Sequence, residues 1–331
     1  MIPVSLKSRV QRFFEPRLPA VACEVSRRSF ALARLDSKNP AIVERFAVAP
    51  LPAGLLVPSL VIPNIASLPD FQAALKAAFA RAEIKPTRIS LAIPDASAKV
   101  ALHPMETLPG NESEKQQLLR WRLKKTVPFG IEEAHIASHD YKLAGGKLMV
   151  LTVCVHRDVL GQYEEAFQKL GVHVGYVSLS SFAAFEVLAR LEPNLPQRSV
   201  LFLRVRPSAV SAIILQEGRV VFFRHVDHED EGAADGTGGG LQESALPDLF
   251  EEIHPCVTYF EDKLSERPLD RIYLACWHDL QPALLSSLSD RFRSPVVSLD
   301  PLQFFRSPNA AALRSIKSAL TPSLGLALGR F

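Results

Sequence analysis

Short apolar runs typical of β-strands alternate with amphipathic stretches typical of α-helices along most of this chain, and turn residues separate them. Strands are predicted as a pair at about 20–35 and 42–48, then at 88–94, 199–226, 271–276 and 295–299, and a strand, helix, strand unit is predicted between 150 and 178. Helices are predicted at about 69–82, 114–127, 180–191, 246–264 and 280–289, followed by a last helix rich in Ala and Leu. This alternation indicates an α/β protein, although the periodicity alone allows several α/β folds.

The composition is that of a globular protein with a large core. Of the 331 residues, 47% are hydrophobic, which is enough for two lobes of ordinary domain size. Lys and Arg number 38 against 35 Asp and Glu, so the charge balance gives no reason to expect nucleic-acid binding. A segment at 228–244 is rich in Gly and acidic residues and is predicted to be a mobile loop.

The cysteines indicate a reducing compartment. Cys23, Cys154, Cys256 and Cys276 lie among apolar neighbours without CxxC spacing, and no cleavable apolar region opens the chain. A cytosolic location is therefore expected. No apolar run reaches the roughly 20 residues that a spanning helix needs, so the chain is not expected to cross a membrane.

A basic amphipathic segment at 118–141, LLRWRLKKTVPFGIEEAHIASHDY, is the most informative stretch. Its apolar and basic residues interleave at helical spacing, and Pro128 disfavours helix at the residue before it, so the helix is predicted to end there. Glu112 and Glu114 precede the helix, and its lysines lie near its end, as the helix dipole prefers. Taken alone, this pattern is typical of an ordinary surface helix.

The order of residues in this segment resembles the PilM family, the cytoplasmic actin-like component of type IV pilus assembly. The residues that carry the resemblance are an acid, a tryptophan, a Pro-Phe, a Glu pair and an Asp-Tyr: Glu114, Trp121, Pro128, Phe129, Glu132, Glu133, Asp140 and Tyr141. Further segments follow the family's order at 150–188, 199–226, 271–279 and 321–331. The succession of segments is more specific than any one of them.

The resemblance implies an α/β, actin-like fold, a ribonuclease H-like duplication with a small inserted subdomain. The limits that it implies are an N-terminal basic segment at 1–19, a first lobe at 20–110 completed by 176–198, an inserted subdomain at 111–175 and a second lobe at 199–331. The basic segment has the pattern of a short amphipathic helix, which docks either on the protein itself or, as the less favoured alternative, on an anionic membrane.

The nucleotide site that the resemblance implies is degenerate in this chain. Family members carry Asp-x-Gly turns that approach phosphate and orient Mg²⁺, and a Gly-Gly turn that accommodates adenosine. Here the corresponding positions are Glu24 and Ser26 in the first turn, Arg204 and Arg206 in the second, and Cys276 and Trp277 in the third. Since cations oppose Mg²⁺, no catalytic residue, metal or cofactor is expected; an active actin-like ATPase is the alternative.

Two interpretations of Arg204 and Arg206 stay open. In the first, the two arginines form a metal-free anion site with Arg27 and Arg28, since guanidinium suits phosphate geometry. The commoner arrangement is arginine on an exposed turn or paired with an acid across the cleft. On that second view, alanine at Arg204 and Arg206 is predicted to leave the melting temperature nearly unchanged.

Other polar groupings give weaker signals. His225, His228 and the acids that follow could supply metal ligands, but they lie in a loop-like segment. His135 and His139 share one face of a predicted strand, where a solvated edge is the expected role. Ser180 and Ser181 are interpreted as a helix N-cap, because no Gly-x-Ser-x-Gly elbow surrounds them.

The function implied by the resemblance is that of a non-catalytic scaffold, cytoplasmic and peripheral at the inner membrane. Such family members hold the cytoplasmic N-terminal peptide of a single-span partner, PilN, in a groove between the first lobe and the inserted subdomain. The partner-binding candidates are the basic and aromatic residues Arg120, Trp121, Arg122, Lys124, Phe129 and Tyr141. Burial in the core is the alternative for the aromatic residues, and a type II secretion platform is the alternative setting.

Overall fold

A computed structural model describes residues 18–227, 246–265, 268–276 and 281–329. The predicted loop at 228–244 and Trp277 lie outside the described residues, as do residues 1–17 of the predicted N-terminal segment. In the described part of the chain, no helix combines the length and the apolar character needed to span a bilayer.

The described strands and helices follow the predicted order, with one further strand at Lys99–Met105. The strands are β1 (Val21–Val25), β2 (Ser29–Leu35), β3 (Val43–Pro50), β4 (Arg88–Ile93), β5 (Lys99–Met105), β6 (Ala134–Lys142), β7 (Leu148–His156), β8 (His173–Leu179), β9 (Ser199–Arg206), β10 (Ala209–Gln216), β11 (Arg219–Asp227), β12 (Arg271–Cys276) and β13 (Val296–Ser298). The helices are α1 (Leu68–Ala82), α2 (Glu112–Leu123), α3 (Arg157–Gln168), α4 (Ser180–Leu191), α5 (Leu246–Tyr259), α6 (Gln281–Arg291) and α7 (Ala310–Leu328).

Two five-stranded sheets with the same topology form the two lobes. Their strand orders are β3-β2-β1-β4-β8 and β11-β10-β9-β12-β13. In each sheet the first three strands pair antiparallel and the next two join in parallel. The second lobe therefore repeats the first, and the carboxyl ends of β1 and β9 occupy equivalent positions.

The central strands are apolar on both faces because each lies between two cores. Along β1, Cys23 and Val25 belong to the core of the first lobe, whereas Ala22 belongs to a core shared by both lobes. Along β9, Leu203 faces the core of the second lobe and Phe202 faces the shared core. Side chains two residues apart share a face, so each central strand directs alternate residues toward the other lobe.

A small antiparallel sheet, β5-β7-β6, stands beside the first lobe. Its two faces differ: Ala134 and Cys154 lie under α2 on what we call the outer face, while Val100, Val153 and Val155 join the first lobe's core on the inner face. The sheet begins at Lys99, which differs from the predicted limits of 111–175, since β5 pairs with β7 along its whole length. Helix α3 packs Tyr163 and Phe167 into the first lobe.

Helices α4 and α7 lie in the shared core between the lobes and cross closely. The crossing depends on Gly325, where an added methyl group would overlap the carbonyl oxygen of Ala183. Ser323 adds a hydrogen bond of 2.7 Å from its hydroxyl to the carbonyl oxygen of Ala31 in β2. Glycine is thus required here for contact, although it is a poor helix former.

Replacing Gly325 by alanine is expected to destabilise the protein by about 1 to 3 kcal/mol, because overpacking at the crossing outweighs the gain in helix propensity. Gly161 in α3 is the matched control, since a methyl group there meets no atom within 4 Å. Alanine at Gly161 is expected to stabilise by about 0.5 to 1 kcal/mol. Urea unfolding of both variants measures the difference, and equal effects would contradict it.

Candidate functional site

A buried carboxylate lies at the carboxyl end of β1, where the two lobes meet. Glu24 is 2% exposed and accepts hydrogen bonds on one carboxylate oxygen from the Ser180 hydroxyl, the Arg204 guanidinium and the Arg206 guanidinium. Ser180 begins α4 in the first lobe, whereas both arginines come from β9 in the second. The ion pairs therefore join the lobes directly.

The alternation of the strands explains why these three charged groups converge. Glu24 is two residues from Ala22, and Arg204 is two residues from Phe202, so both point toward the shared core. Arg206 continues the same face of β9. Burial alone would raise the pKa of Glu24, but the charges of Arg204 and Arg206 and the Ser180 hydrogen bond hold that pKa below its ordinary value. Glu24 is consequently an ionised carboxylate at neutral pH.

A second carboxylate, Asp95, forms another connection between the lobes. One of its oxygens accepts hydrogen bonds from the Ser181 backbone N–H at 3.1 Å and the Ser181 hydroxyl at 2.8 Å. The other accepts from the Ser211 hydroxyl of the second lobe at 2.8 Å. We call the two carboxylates and their five partners the cleft cluster: Glu24, Asp95, Ser180, Ser181, Arg204, Arg206 and Ser211.

The N-cap interpretation of the two serines is wrong in its detail. Helix α4 begins at Ser180, its N-cap residue is Leu179, and no side chain of that residue caps the helix. Asp95 supplies the missing acceptor from another element, and its negative charge suits the N-terminal end of the helix. No role was predicted for Asp95, although an acid directly after the apolar run RISLAIP is a usable signal.

A third connection lies at the edge of the cleft cluster. Arg27, in the turn after β1, forms a 3.2 Å ion pair with Asp227 at the end of β11. His225 lies between Ser211 and Asp227: its Nδ1 is 2.9 Å from the Ser211 hydroxyl, and its Nε2 is 3.5 Å from the Asp227 carboxylate. Of the predicted metal ligands, His225 is thus engaged within the protein and the rest lie outside the described residues. Within the described ranges no group of three metal-ligating side chains is found.

One small hollow adjoins the arginines of the cleft cluster. The hollow, beside Arg204, Arg206 and Cys276, has a volume of about 10 Å³, which is room for about one water molecule. In the first turn, the Ser26 hydroxyl donates to the Ser29 carbonyl oxygen at 3.0 Å, so Ser26 stabilises the hairpin. One carboxylate oxygen of Glu24 and both carboxylate oxygens of Asp95 accept hydrogen bonds from protein donors.

The view of Arg204 and Arg206 as exposed arginines is wrong, whereas their pairing with an acid across the cleft is confirmed. Only 8% of the Arg204 side chain and 19% of the Arg206 side chain is exposed. The small energies of surface ion pairs do not apply to side chains at this depth. The prediction that both positions tolerate alanine assumed exposed side chains, and these side chains are not exposed.

The partner-binding candidates lie on two sides of the small sheet. On the outer face, Arg120 donates to the Ile131 carbonyl oxygen at 2.7 Å, Arg122 lies near His103, and the Phe129 ring packs edge-on against His156. Trp121 and Lys124 are exposed on α2. Whether these residues bind a partner stays a prediction.

Tyr141 is the only one of these candidates on the inner face. Its side chain is buried, and its hydroxyl donates to the Val220 carbonyl oxygen of β11. The Arg219 guanidinium lies 5.8 Å from the centre of its ring. Tyr141 therefore fixes the small sheet against the second lobe. Along the same face, Ala137 and His139 are exposed and Leu102 and Leu151 are half-buried, so this part of the inner face is open to contact.

Known proteins resemble this chain in structure at low sequence identity. No family model matches the chain, and no curated protein matches its sequence. Among solved structures, a chain of a PilM-PilN type IV pilus biogenesis complex has a TM-score of 0.80 at 19% identity, covering 95% of this chain and 98% of that chain. The ethanolamine utilization protein EutJ from Carboxydothermus hydrogenoformans has a TM-score of 0.52 at 10% identity, covering 95% and 91%.

A third structure is the cytoplasmic domain of EpsL, an inner-membrane component of the type II secretion system of Vibrio cholerae. Its TM-score is 0.50 at 9% identity, over 94% of this chain and 95% of that chain. The duplicated sheets and the cleft between them define an actin-like fold. In particular, the structure is similar to that in the PilM-PilN complex, so the resemblance read from the sequence is confirmed for the fold.

Replacing Arg204 by alanine is expected to lower the free energy of unfolding by about 3 to 5 kcal/mol, because it leaves the buried Glu24 carboxylate with one cation fewer. Arg27→Ala is the matched control, since it breaks an ion pair whose side chains are 30% and 34% exposed. That change is expected to cost about 0 to 1 kcal/mol. Chemical denaturation checks both values, and similar small losses would mean that the cleft cluster does not stabilise the fold.

Titration calorimetry with Mg-ATP is expected to give no saturable heat. The physical reason is that Mg²⁺ would meet two arginines, and its acidic ligands would first have to leave their protein donors. A micromolar Kd, or a rise in melting temperature with Mg-ATP that EDTA abolishes, would contradict this prediction and favour the ATPase alternative.

Proposed function

We propose that this protein is a non-catalytic, actin-like scaffold in the inner-membrane assembly platform of a type IV pilus. Its work is to bind the cytoplasmic N-terminal peptide of a PilN-like single-span membrane protein, so it is peripheral to the membrane through that partner. The observation that carries the proposal is the cleft cluster, in which donors of the second lobe occupy the carboxylates that a metal and nucleotide would need.

The comparisons support the setting of this function. The similar structure at TM-score 0.80 belongs to a PilM-PilN pilus biogenesis complex, and a second belongs to an inner-membrane component of a secretion system. A protein whose lobes are already joined by internal ion pairs has no use for nucleotide-driven closure. Such a protein suits a constant binding surface.

The groove beside the small sheet is the site that we assign to the peptide. Its sheet side is the exposed part of the inner face, around Ala137 and His139. For its first-lobe side we choose the connection at 51–67, which contains no charged residue. Asn64 anchors this connection: its side-chain oxygen accepts from the Ser97 hydroxyl at 2.6 Å, directly before β5.

Apolar side chains project from this connection into solvent. Val57, Val61 and Ile62 are 45%, 41% and 57% exposed, while Leu56 and Ile65 of the same connection are buried in the first lobe's core. The connection is therefore fixed to the lobe and presents an apolar surface without charge. An extended peptide with apolar side chains fits such a surface, with backbone hydrogen bonds adding affinity.

Two substitutions test this groove without touching the core. Ala137→Arg places a long charged side chain on the inner face, and Ile62→Asp places a charge in the apolar connection. Each is expected to weaken binding of a synthetic PilN-like N-terminal peptide at least about tenfold, since losing one well-packed anchor commonly costs about 2 kcal/mol. Fluorescence anisotropy with the labelled peptide measures the change.

Gln117→Arg is the matched control, because Gln117 is exposed on α2 at the outer face. That variant is expected to bind the peptide as the unmodified protein does. Normal binding by Ala137→Arg together with a loss in Gln117→Arg would move the binding surface to the outer face. If no variant and no unmodified protein binds, the PilN-like partner is wrong, and a type II secretion partner becomes the next candidate.

A further inference from the structure

An exposed aromatic and basic patch lies at the carboxyl end of α2, outside the groove and the cleft cluster. Trp121 is 71% exposed, which is the largest exposure of any large apolar side chain in the described residues. Lys124 and Lys125 follow it and are both exposed. Neither lysine forms an ion pair with a carboxylate in the part of the chain that the structure describes. We call these three residues the α2 patch.

The α2 patch points away from the rest of the molecule. Leu119 and Leu123 of the same helix are fully buried against the outer face of the small sheet, so Trp121 lies on the opposite side of the helix. Exposing an indole in water gives up the free energy of burying a large apolar surface. A tryptophan that the described residues leave uncovered therefore indicates contact with something other than those residues.

The shape and chemistry of the α2 patch select the kind of contact. The patch is a convex helix surface, whereas a peptide needs a concave one to bury its side chains. Arg120 and Arg122, which suit bidentate recognition of carboxylates, are half-buried, and Arg120 is held by the Ile131 carbonyl oxygen. The groups left outside are one indole and two ammonium groups. Indoles prefer the level of lipid headgroups, and lysines attract anionic lipid.

We propose that the α2 patch contacts the surface of an anionic phospholipid membrane, with the Trp121 indole at headgroup level and Lys124 and Lys125 beside lipid phosphates. The contact is separate from the groove on the inner face, because the small sheet stands between them. Two lysines and one indole make a weak and reversible contact, as single membrane signals do. It would orient a protein that a partner already holds near the bilayer.

Sedimentation with vesicles tests this contact without any protein partner. The full chain is expected to bind vesicles of phosphatidylcholine with phosphatidylglycerol, to bind phosphatidylcholine alone much less, and to lose binding as salt increases. Lys124→Gln with Lys125→Gln is expected to weaken binding roughly 25-fold, at about fivefold for each lysine. Trp121→Ala is expected to weaken it several-fold.

Matched controls separate the α2 patch from general charge and general exposure. Arg81→Gln with Lys85→Gln removes two exposed cations near the end of α1, and Tyr259→Ala removes another exposed aromatic ring. Both are expected to bind the vesicles normally. In a Trp277→Phe background, the fluorescence of Trp121 is expected to shift to shorter wavelength on adding anionic vesicles.

Two results would overturn the membrane contact. One is equal binding, or no binding, of the unmodified protein to the two kinds of vesicle. The other is normal vesicle binding by Trp121→Ala combined with loss of the PilN-like peptide, which would make the α2 patch a peptide surface. Since the vesicles contain no protein, failure of the peptide groove leaves this test unaffected.

Discussion

The buried contact of Glu24 with Arg204 and Arg206 is the constraint on which the rest of the arrangement depends. Two guanidinium groups two residues apart repel one another, so their burial is tolerable only with carboxylates close by. Glu24 accepts from both, and the Asp95 carboxylate also acts on Arg206. Two buried cations thus face two buried anions, and removing any member leaves an uncompensated charge.

The duplicated topology explains why this contact joins the lobes. Because β1 and β9 are equivalent strands, the residues at their carboxyl ends face each other across the shared core. Here acid stands on one strand and base on the other, so the protein supplies both sides of the interaction itself. The contact is therefore a structural joint between the two lobes.

Much of the fold was accessible from the sequence, because the alternation of apolar runs is a local property. Helix α4 begins and ends where its pattern predicts, at 180–191. Strand β5 was missed, since Pro104 weakens its pattern; the structure places it at the edge of its sheet, where proline is tolerated. The burial of Arg204 and Arg206 could not be predicted from the sequence, because it depends on contacts with β1, nearly two hundred residues away.

The site residues show the same difference between what local sequence reveals and what depends on long-range contacts. The change of charge at the second turn was visible in the sequence, whereas the partners of that charge were not. Asp95 and Ser211 look unremarkable among their neighbours and acquire their roles only through the pairing of distant strands. Likewise, no local pattern separates Tyr141 on the inner face from Trp121 on the outer one, since the distinction depends on which face α2 covers.

The position of α7 also bears on the order in which the chain is made. Ser323 and Gly325 complete the packing around β2 and α4, yet they are synthesised almost three hundred residues after β2. Until α7 leaves the ribosome, Ala31 and Ala33 of β2 lack the helix that covers them in the folded protein, although α4 is already present on the same face of the sheet. The nascent first lobe therefore exposes apolar surface, and the long-range contacts that cover it form slowly. A chaperone that shields this face during translation would raise the yield of folded protein.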